Sequence, residues 1–235
     1  MPAKNRIKQY IEKGYYHLYN RGVDKRSIFV DQQDYAVFLS YLKTYLVPKN
    51  EKELRKKLAD PSISCKEKDK ILKILRLNNF SDTLTLLAYC LIPNHFHFLV
   101  HQVLAETIDR FMNSLCTRYV IYFNRKYERV GPLFQGVYKA LLVKTDEQLL
   151  HLSRYIHLPV LDSQGQALRD LREPQPSSYP NYLGEISQEW VKPEEILNFF
   201  KTNRHTYPKD ILSYQSFVED YKEEIPEIIT NLTLE

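Results

Sequence analysis

The run over residues 93–100 reads Pro-Asn-His-Phe-His-Phe-Leu-Val, and it constrains the fold more than any other part of the chain. Histidines alternate with bulky apolar residues, and successive side chains of a β-strand point to opposite faces of a sheet. The run therefore predicts a strand that presents His95 and His97 on one face and sends the two phenylalanines to a core on the other. Two neutral imidazoles side by side can form half of a divalent-metal site. The alternative is two surface histidines on an edge strand, because so short a motif often occurs by chance.

Length and composition favour one sizeable domain with an extension. The chain has 235 residues, of which 43% are hydrophobic and 26% charged, enough apolar side chain for a packed core. No run of about 18 or more apolar residues occurs, and the basic N-terminus lacks the apolar stretch of a secretory signal. We therefore expect a cytoplasmic protein without a membrane segment. The three cysteines share no metal-ligand spacing, so we expect buried, reduced thiols.

Positive charge is concentrated in two zones of the sequence. Residues 1–30 hold seven Lys and Arg against two acids, and residues 110–144 hold seven against one, whereas residues 184–235 hold eleven acids against five bases. Basic zones suit a polyanionic partner, because neutralising phosphates supplies most non-specific affinity for nucleic acid. The eighteen tyrosines add rings on which unpaired bases can stack. Charge alone is equally compatible with a solvated surface.

The periodicity of apolar residues predicts four strands and three long helices. We expect strands at residues 15–20, 83–91, 95–102 and 134–144, and helices at 31–46, 104–126 and from 145 to the residue before Pro159. Thr145 and Gln148 form a capping pattern at the start of the third helix. The order strand, helix, strand, strand, helix, strand, helix favours an α+β fold in which helices pack on an antiparallel sheet.

The pattern also divides the chain into regions. Residues 10–160 form the predicted core, and residues 48–80 within it, with fifteen charged residues in thirty-three, predict an exposed helical insertion. Residues 161–235 predict a proline-rich linker followed by a helical C-terminal extension, with helices near 193–201 and 209–224.

Four further segments combine with the histidine run into an ordered set. They are Tyr15-Tyr16-His17-Leu18-Tyr19-Asn20-Arg21-Gly22, Gly131-Pro132-Leu133-Phe134-Gln135-Gly136, Ser153-Arg154-Tyr155-Ile156-His157 and Ser177-Ser178-Tyr179. In this order the set resembles the HUH single-tyrosine transposases, specifically the REP-associated tyrosine transposases related to the insertion-sequence type. The resemblance covers most of residues 10–185. It implies a ferredoxin-like core, which matches the predicted element order, and an enzyme that nicks and rejoins DNA.

The resemblance also implies roles for individual residues. His95 and His97 would hold a divalent cation, Mg²⁺ or Mn²⁺, and Tyr155 would be the nucleophile that ends in a 5′-phosphotyrosine bond. The helical pattern places Tyr155 at the border of the apolar stripe marked by Leu152 and Ile156, where it can lie against the sheet. Without the family motif, a tyrosine at that border is better explained by the packing of its ring; the motif reverses that preference.

The chain departs from the family pattern next to the nucleophile. Family members usually read Tyr-Ile-x-Leu-Asn-Pro-Val, and the asparagine sits where a further metal ligand is expected, whereas residues 155–160 here read Tyr-Ile-His-Leu-Pro-Val. Proline has no side-chain donor or acceptor. His157 points away from Tyr155 on an ideal helix, and His151, on the same face as the tyrosine, is the better substitute. A water or the DNA phosphate could also fill the position, so the third ligand stays unassigned.

The partner that the resemblance implies is single-stranded or hairpin DNA, bound by a monomer or a homodimer. Candidate DNA contacts lie in the turn after the first strand and on the second long helix: Asn20, Arg21, Lys25, Arg26, Arg118 and Arg125. The alternative function is a domesticated protein that keeps the fold and hairpin recognition but cuts weakly or not at all. Metal-dependent nicking by a preparation that demonstrably binds DNA would discriminate between the two.

Overall fold

The computed structural model of the protein describes residues 8–158, 177–202, 213–220 and 227–230. Its strands are β1 (Gly14–Arg21), β2 (Leu84–Ile92), β3 (His95–Gln102) and β4 (Lys139–Val143). Its α-helices are α1 (Gln32–Leu46), α2 (Glu51–Leu58), α3 (Cys65–Arg76), α4 (Thr107–Lys126), α5 (Asp146–His157), α6 (Tyr179–Tyr182), α7 (Glu194–Thr202), α8 (Tyr214–Glu219) and α9 (Glu227–Thr230).

The four strands form one sheet in the order β2-β3-β1-β4, and each neighbouring pair is antiparallel. With α2 and α3 set aside as an insertion after α1, the elements up to β4 run strand, helix, strand, strand, helix, strand. That connectivity and strand order define a ferredoxin-like α+β fold, and they confirm the predicted fold class. In the register of the central pair, Tyr19 lies opposite His97 and His17 lies opposite Leu99.

The sheet separates two hydrophobic cores. On one side, Phe96 and Phe98 are fully buried against α1 and α4, as the alternation of the histidine run predicts. On the other side, the inward residues of α5 pack between the sheet and the C-terminal helices, with Leu152 and Ile156 buried beside Phe217. The histidines of β3 point to this second side, so α5 is the helix that covers them.

The fourth strand is shorter than predicted. It begins at Lys139 rather than at Phe134, which makes only an isolated bridge with Gly22. Gly136 has a φ of +75°, a left-handed conformation that interrupts an extended strand. The backbone N–H of Gln135 donates to the carbonyl of Arg21. Residues 134–138 are therefore a loop that is hydrogen-bonded to the end of β1.

Two helices, α2 and α3, occupy residues 48–80 and bury none of their side chains. Each begins at a polar cap: Asn50 accepts from the backbone N–H of Glu53, and Ser64 accepts from that of Glu67. Cys65, at the start of α3, is exposed, so the prediction of three buried thiols is wrong there, and none of the three cysteines forms a disulfide bond. The polar surface of α3 leaves no core for that thiol to enter.

The described part of the C-terminal extension is wrapped around α5. The helix predicted near 193–201 is α7, and α8 lies within the one predicted at 209–224, whose two ends fall outside the described residues. The predicted linker after Pro159 also lies outside them up to residue 176. Within the described ranges, no helix is long and apolar enough to cross a membrane.

Candidate active site

The α5 side of the sheet carries a group of aromatic and imidazole rings on β1 and β3. The rings of His95 and His97 are neighbours on β3, with centroids 4.9 Å apart and planes at 86°. Tyr19, directly opposite His97 on β1, has its ring 5.9 Å away. His97 is buried and His95 is half-buried, so the pair lies where the sheet surface opens toward solvent.

Helix α5 brings Tyr155 onto the same rings. Its ring lies 5.7 Å from that of His97, edge-on at 87°, and 6.4 Å from that of His17. The helix starts where the sequence predicts, because the Thr145 hydroxyl accepts from the backbone N–H of Gln148 at 3.1 Å. Tyr155 is half-buried at the edge of the second core. The structure therefore places the predicted nucleophile beside His97, whose ring neighbours that of His95, the other predicted metal ligand.

His17 belongs to this ring group, although sequence reasoning assigned it no role. It is fully buried, its Nε2 lies 2.9 Å from Nδ1 of His97, and the two rings stack at 5.0 Å with an interplanar angle of 17°. In the antiparallel register His17 is the diagonal neighbour of His97, and long side chains can meet across that diagonal. Only the pairing of β1 with β3 reveals the contact.

The Nδ1 atoms of His95 and His97 each lie within hydrogen-bonding distance of another side chain. Nδ1 of His95 lies 2.5 Å from Oδ1 of Asn94, and Nδ1 of His97 makes the bond to His17. An imidazole held through Nδ1 can bind a cation only through Nε2. A cation held by these two rings would therefore be bound through Nε2 of each.

Within the described ranges, no group of three or more His, Cys, Asp and Glu side chains is arranged to hold a metal ion. His151, the predicted substitute for the missing asparagine, has its Nδ1 2.5 Å from the Arg154 guanidinium and its ring against Phe217 of α8. Burial, and then the charge of Arg154, lower the pKa of His151. The His151 ring thus contacts Arg154 of α5 and Phe217 of α8, and among the described residues it forms no metal-binding group with His95 and His97.

His157 is a structural residue that joins α5 to the C-terminal extension. It is fully buried, its Nδ1 lies 2.7 Å from the Tyr214 hydroxyl, and its Nε2 lies 2.8 Å from the Ser178 hydroxyl. Ser178 is in turn bonded to the backbone of Tyr89 in β2. As the helical geometry predicts, His157 points away from Tyr155. The bonds of His157 fix the turn of α5 that carries the tyrosine.

Replacing His157 with phenylalanine should lower the free energy of unfolding by about 1–3 kcal/mol, since it keeps the ring volume but removes both bonds to buried hydroxyls. Urea denaturation of the full chain measures the change. His101→Ala is the control, because His101 is half-buried, stacks on Tyr15 at 4.6 Å and lies outside this network. A midpoint for His157→Phe equal to that of the unmodified protein would contradict the structural role.

The first predicted DNA-contact zone lies at the end of β1, next to the histidines. Arg21 is paired with His95 in the sheet, and Lys25 and Arg26 are exposed in the following turn. Asn20 points to the opposite face and is buried; its Nδ2 donates to the carbonyl of Gly136 at 3.3 Å, and its Oδ1 accepts from the N–H of Arg21 at 2.9 Å. Asn20 therefore holds the loop in place, while the three cations present charge beside the site.

The second predicted zone lies on α4, on the far side of the sheet. The Arg118 guanidinium sits 3.8 Å above the ring of Tyr41, and among the described residues its buried Nη1 has no hydrogen-bond partner. Arg118 and Arg125 line an open cleft of about 520 Å³ between α1 and α4. Lys126 also lines the cleft, but it is paired with Asp34 at 2.8 Å. The structure does not bring Arg118 and Arg125 to the ring group.

The protein has a ferredoxin-like α+β fold, and the ring group lies between the sheet and α5. Residues 11–158 match the family model described as transposase IS200 like, which is more than half of the chain. The chain therefore belongs to the IS200-like transposase family. No curated protein matches it.

Two solved structures are similar to the chain at low identity. One is a REP-associated tyrosine transposase bound to a REP hairpin, 9% identical, with 81% of this chain and 98% of that chain covered at a TM-score of 0.47. The other is a putative transposase from Deinococcus radiodurans R1, 14% identical, with 65% of this chain and 95% of that chain covered at a TM-score of 0.33.

Proposed function

We propose that this IS200-like transposase is a divalent-metal-dependent nuclease and strand transferase for single-stranded DNA that acts at hairpin-forming repeats. The observation that carries the proposal is the contact between two distant parts of the chain, the Tyr155 ring lying 5.7 Å from the ring of His97. A nucleophilic tyrosine next to a pair of imidazoles is the set of groups that phosphotyrosine chemistry on DNA requires.

His95 and His97 supply two nitrogen ligands, and this donor set fits a divalent cation, with oxygen atoms of water or DNA in the other positions. A bound Mg²⁺ or Mn²⁺ would withdraw charge from the scissile phosphate and so favour attack on phosphorus. The chain's own contribution is to hold the two rings at 4.9 Å from each other and to place the tyrosine beside them.

Tyr155 then performs the bond exchange. Its phenolic oxygen attacks phosphorus, the bond from phosphorus to the 3′-oxygen breaks, and the departing 3′-hydroxyl gains a proton as the phenol loses one. The 5′-phosphate remains on the tyrosine, which conserves the energy of the broken bond. A 3′-hydroxyl from another strand can reverse the step without ATP, and this is strand transfer.

Substrate binding is assigned to the basic zones. Arg21, Lys25 and Arg26 lie at the end of β1 that pairs with the start of β3, so they can hold the phosphates of a strand entering the site. Arg118 and Arg125 on α4 would hold a second part of the same DNA. A hairpin with a single-stranded flank offers both parts at once.

We expect tighter binding to a hairpin with a single-stranded flank than to a blunt duplex, and a steep loss of affinity as salt increases. Arg125→Gln should weaken binding and lower the slope of log affinity against log salt by about 1, because one phosphate contact is lost. Arg55→Gln is the matched control, since Arg55 is exposed on α2 of the insertion and is paired there with Glu51. Fluorescence anisotropy over a salt series measures both slopes. Equal affinity for hairpin and duplex would contradict the hairpin partner.

The proposal as a whole is tested by incubating the protein with labelled single-stranded DNA from the sequences that flank its own gene, with Mg²⁺, with Mn²⁺ and with a chelator. We expect site-specific nicking that the chelator abolishes. The alternative is a domesticated hairpin-binding protein of the same fold, which the lack of a third ligand side chain among the described residues favours. Binding of the hairpin without nicking under any metal would establish that alternative.

A further inference from the structure

We infer that Arg21 is a catalytic residue that grips the scissile phosphate of the DNA, and that Gln135 is the positioning residue that aims its guanidinium. The inference rests on the proposed function and deepens it, because it separates Arg21 from the cations that hold the DNA backbone in general. Arginine stays charged throughout the physiological pH range, so the role depends on geometry and not on protonation.

The register of the sheet places Arg21 directly across from His95. Directly opposed residues of antiparallel strands project from the same face, with Cβ atoms about 5 Å apart. Asn20, the preceding residue, points to the other face, where it is buried. Arg21 therefore leaves β1 on the face that carries His97 and Tyr155, beside half-buried His95.

The Arg21 guanidinium is held from one side. Its Nε donates to Oε1 of Gln135 at 2.6 Å, and in the described part of the chain no carboxylate forms a salt bridge with it. A guanidinium whose Nε is bonded still has both Nη groups, and these form a fork that matches two oxygens of a phosphate. Arg21 is half-buried, whereas Lys25 and Arg26 are exposed in the turn that follows. Of these three cations, Arg21 is the one whose charged group has a fixed partner.

The partner is fixed because its loop is tied to the end of β1. The backbone N–H of Gln135 donates to the carbonyl of Arg21 at 2.8 Å, and Nδ2 of Asn20 donates to the carbonyl of Gly136 at 3.3 Å. Gln135 is exposed, and a single side-chain bond in solvent orients a guanidinium weakly. The two links on either side of Oε1 hold that oxygen beside Arg21, so the loop and the strand act as one frame.

A fixed cation at this place suits the step assigned to Tyr155. As the phenolic oxygen attacks phosphorus and the 3′-oxygen leaves, negative charge spreads over the oxygens around the phosphorus. A guanidinium already aimed at those oxygens stabilises the charge without reorganising, and one such donor typically contributes about 10²- to 10³-fold in rate. A cation that only holds the DNA backbone changes affinity instead, because it contacts the ground state and the transition state equally.

The first test separates rate from affinity. Arg21→Gln should lower the single-turnover cleavage rate at saturating DNA by about 10²- to 10³-fold. Arg55→Gln, on the exposed insertion, is the control for loss of one arginine and should leave that rate unchanged. A saturated rate in Arg21→Gln equal to that of the unmodified protein would overturn the inference, because Arg21 would then contribute to binding alone.

The second test locates the phosphate. In Tyr155→Phe protein, which should keep the DNA uncut, single phosphates of the hairpin strand are replaced one at a time by neutral methylphosphonates, and fluorescence anisotropy measures binding. Removing the charge at the scissile position should weaken binding by about 10-fold when Arg21 is present, and should have little effect once Arg21→Gln is added. A dependence on Arg21 at another phosphate instead would overturn the inference and make Arg21 one more backbone contact.

The third test concerns Gln135. Gln135→Met keeps the length of the side chain but removes the acceptor, and it should lower the saturated rate by about 2- to 10-fold. In the Arg21→Gln background it should add no further loss, since it acts only through Arg21. An additive loss would overturn the positioning role and show that Gln135 acts on the DNA or on the fold directly. Val137→Ala, 62% exposed in the same loop, is the control and should leave the rate unchanged.

The possible results separate the inference from the function on which it rests. If the unmodified protein cuts no DNA, the proposed function is wrong and the inference falls with it. If the unmodified protein cuts and Arg21→Gln cuts at the same rate, the proposed function stands and the inference is wrong. Circular dichroism of each variant distinguishes a loss of rate from a loss of fold.

Discussion

Tyr155→Phe should abolish cleavage of single-stranded DNA, lowering the single-turnover rate by at least about a thousand-fold, the size expected when a nucleophile is removed. Stability should change by no more than about 0.5–1 kcal/mol, because the substitution keeps the ring at the edge of the second core and removes only the hydroxyl. A quenched-flow cleavage assay in Mn²⁺, with urea denaturation of the same preparation, measures both quantities. Metal binding should be unaffected, since the tyrosine is not assigned as a ligand.

The matched control is Tyr19→Phe. The Tyr19 ring lies 5.9 Å from that of His97, almost as close as Tyr155 at 5.7 Å, but it is fixed on the sheet beside the histidines. If the helix tyrosine is the nucleophile, Tyr19→Phe still forms a covalent DNA adduct and Tyr155→Phe does not. The reverse pattern would transfer the role to Tyr19. Full cleavage by both variants without any covalent adduct would mean that water is the nucleophile.

His95→Ala and His97→Ala should each abolish metal-dependent cleavage and weaken Mn²⁺ binding by at least about 100-fold, because each removes one of few protein ligands. The two variants should differ in stability. His97 is buried in the ring group, so its truncation should also cost about 1–2 kcal/mol, whereas half-buried His95 should cost less.

His95→Ala is therefore the cleaner test of the metal site. His101→Ala serves as its control, since His101 lies on the same face of the same strand but stacks on Tyr15. Nicking by His95→Ala or His97→Ala at the rate of the unmodified protein, in either Mg²⁺ or Mn²⁺, would show that the assignment of the ligands is wrong.

The parts of the fold that the sequence predicts are those governed by local rules. The alternation of residues 95–98 is a property of one strand, and the bounds of β3 and the burial of Phe96 follow from it. The start of α5 follows in the same way from the capping of Thr145. The same alternation applies to β1, where Asn20 shares a face with Leu18 and pairs with Phe96. The burial of Asn20 is therefore consistent with the pattern, although we predicted a DNA contact for it.

Most of the features that the sequence did not predict depend on contacts between distant segments of the chain. His17 reaches His97 only because of the register between β1 and β3, and no periodicity within either strand specifies that register. The fourth strand was predicted too long for a local reason. Gly136 adopts a left-handed conformation, which the surrounding strand-forming residues do not indicate. Arg118 is separated from the histidines because α4 covers the opposite face of the sheet. The charge pattern of the sequence does not predict which face that is.

The most direct measurement is mass spectrometry of the covalent complex formed with a suicide substrate, a hairpin DNA whose released fragment, the one that ends in the new 3′-hydroxyl, is too short to remain bound and reverse the reaction. The account predicts one peptide, containing Tyr155, that carries the mass of the 5′-phosphorylated DNA fragment, and predicts its absence in the presence of a chelator. An adduct on another tyrosine, or cleavage without any adduct, would contradict it.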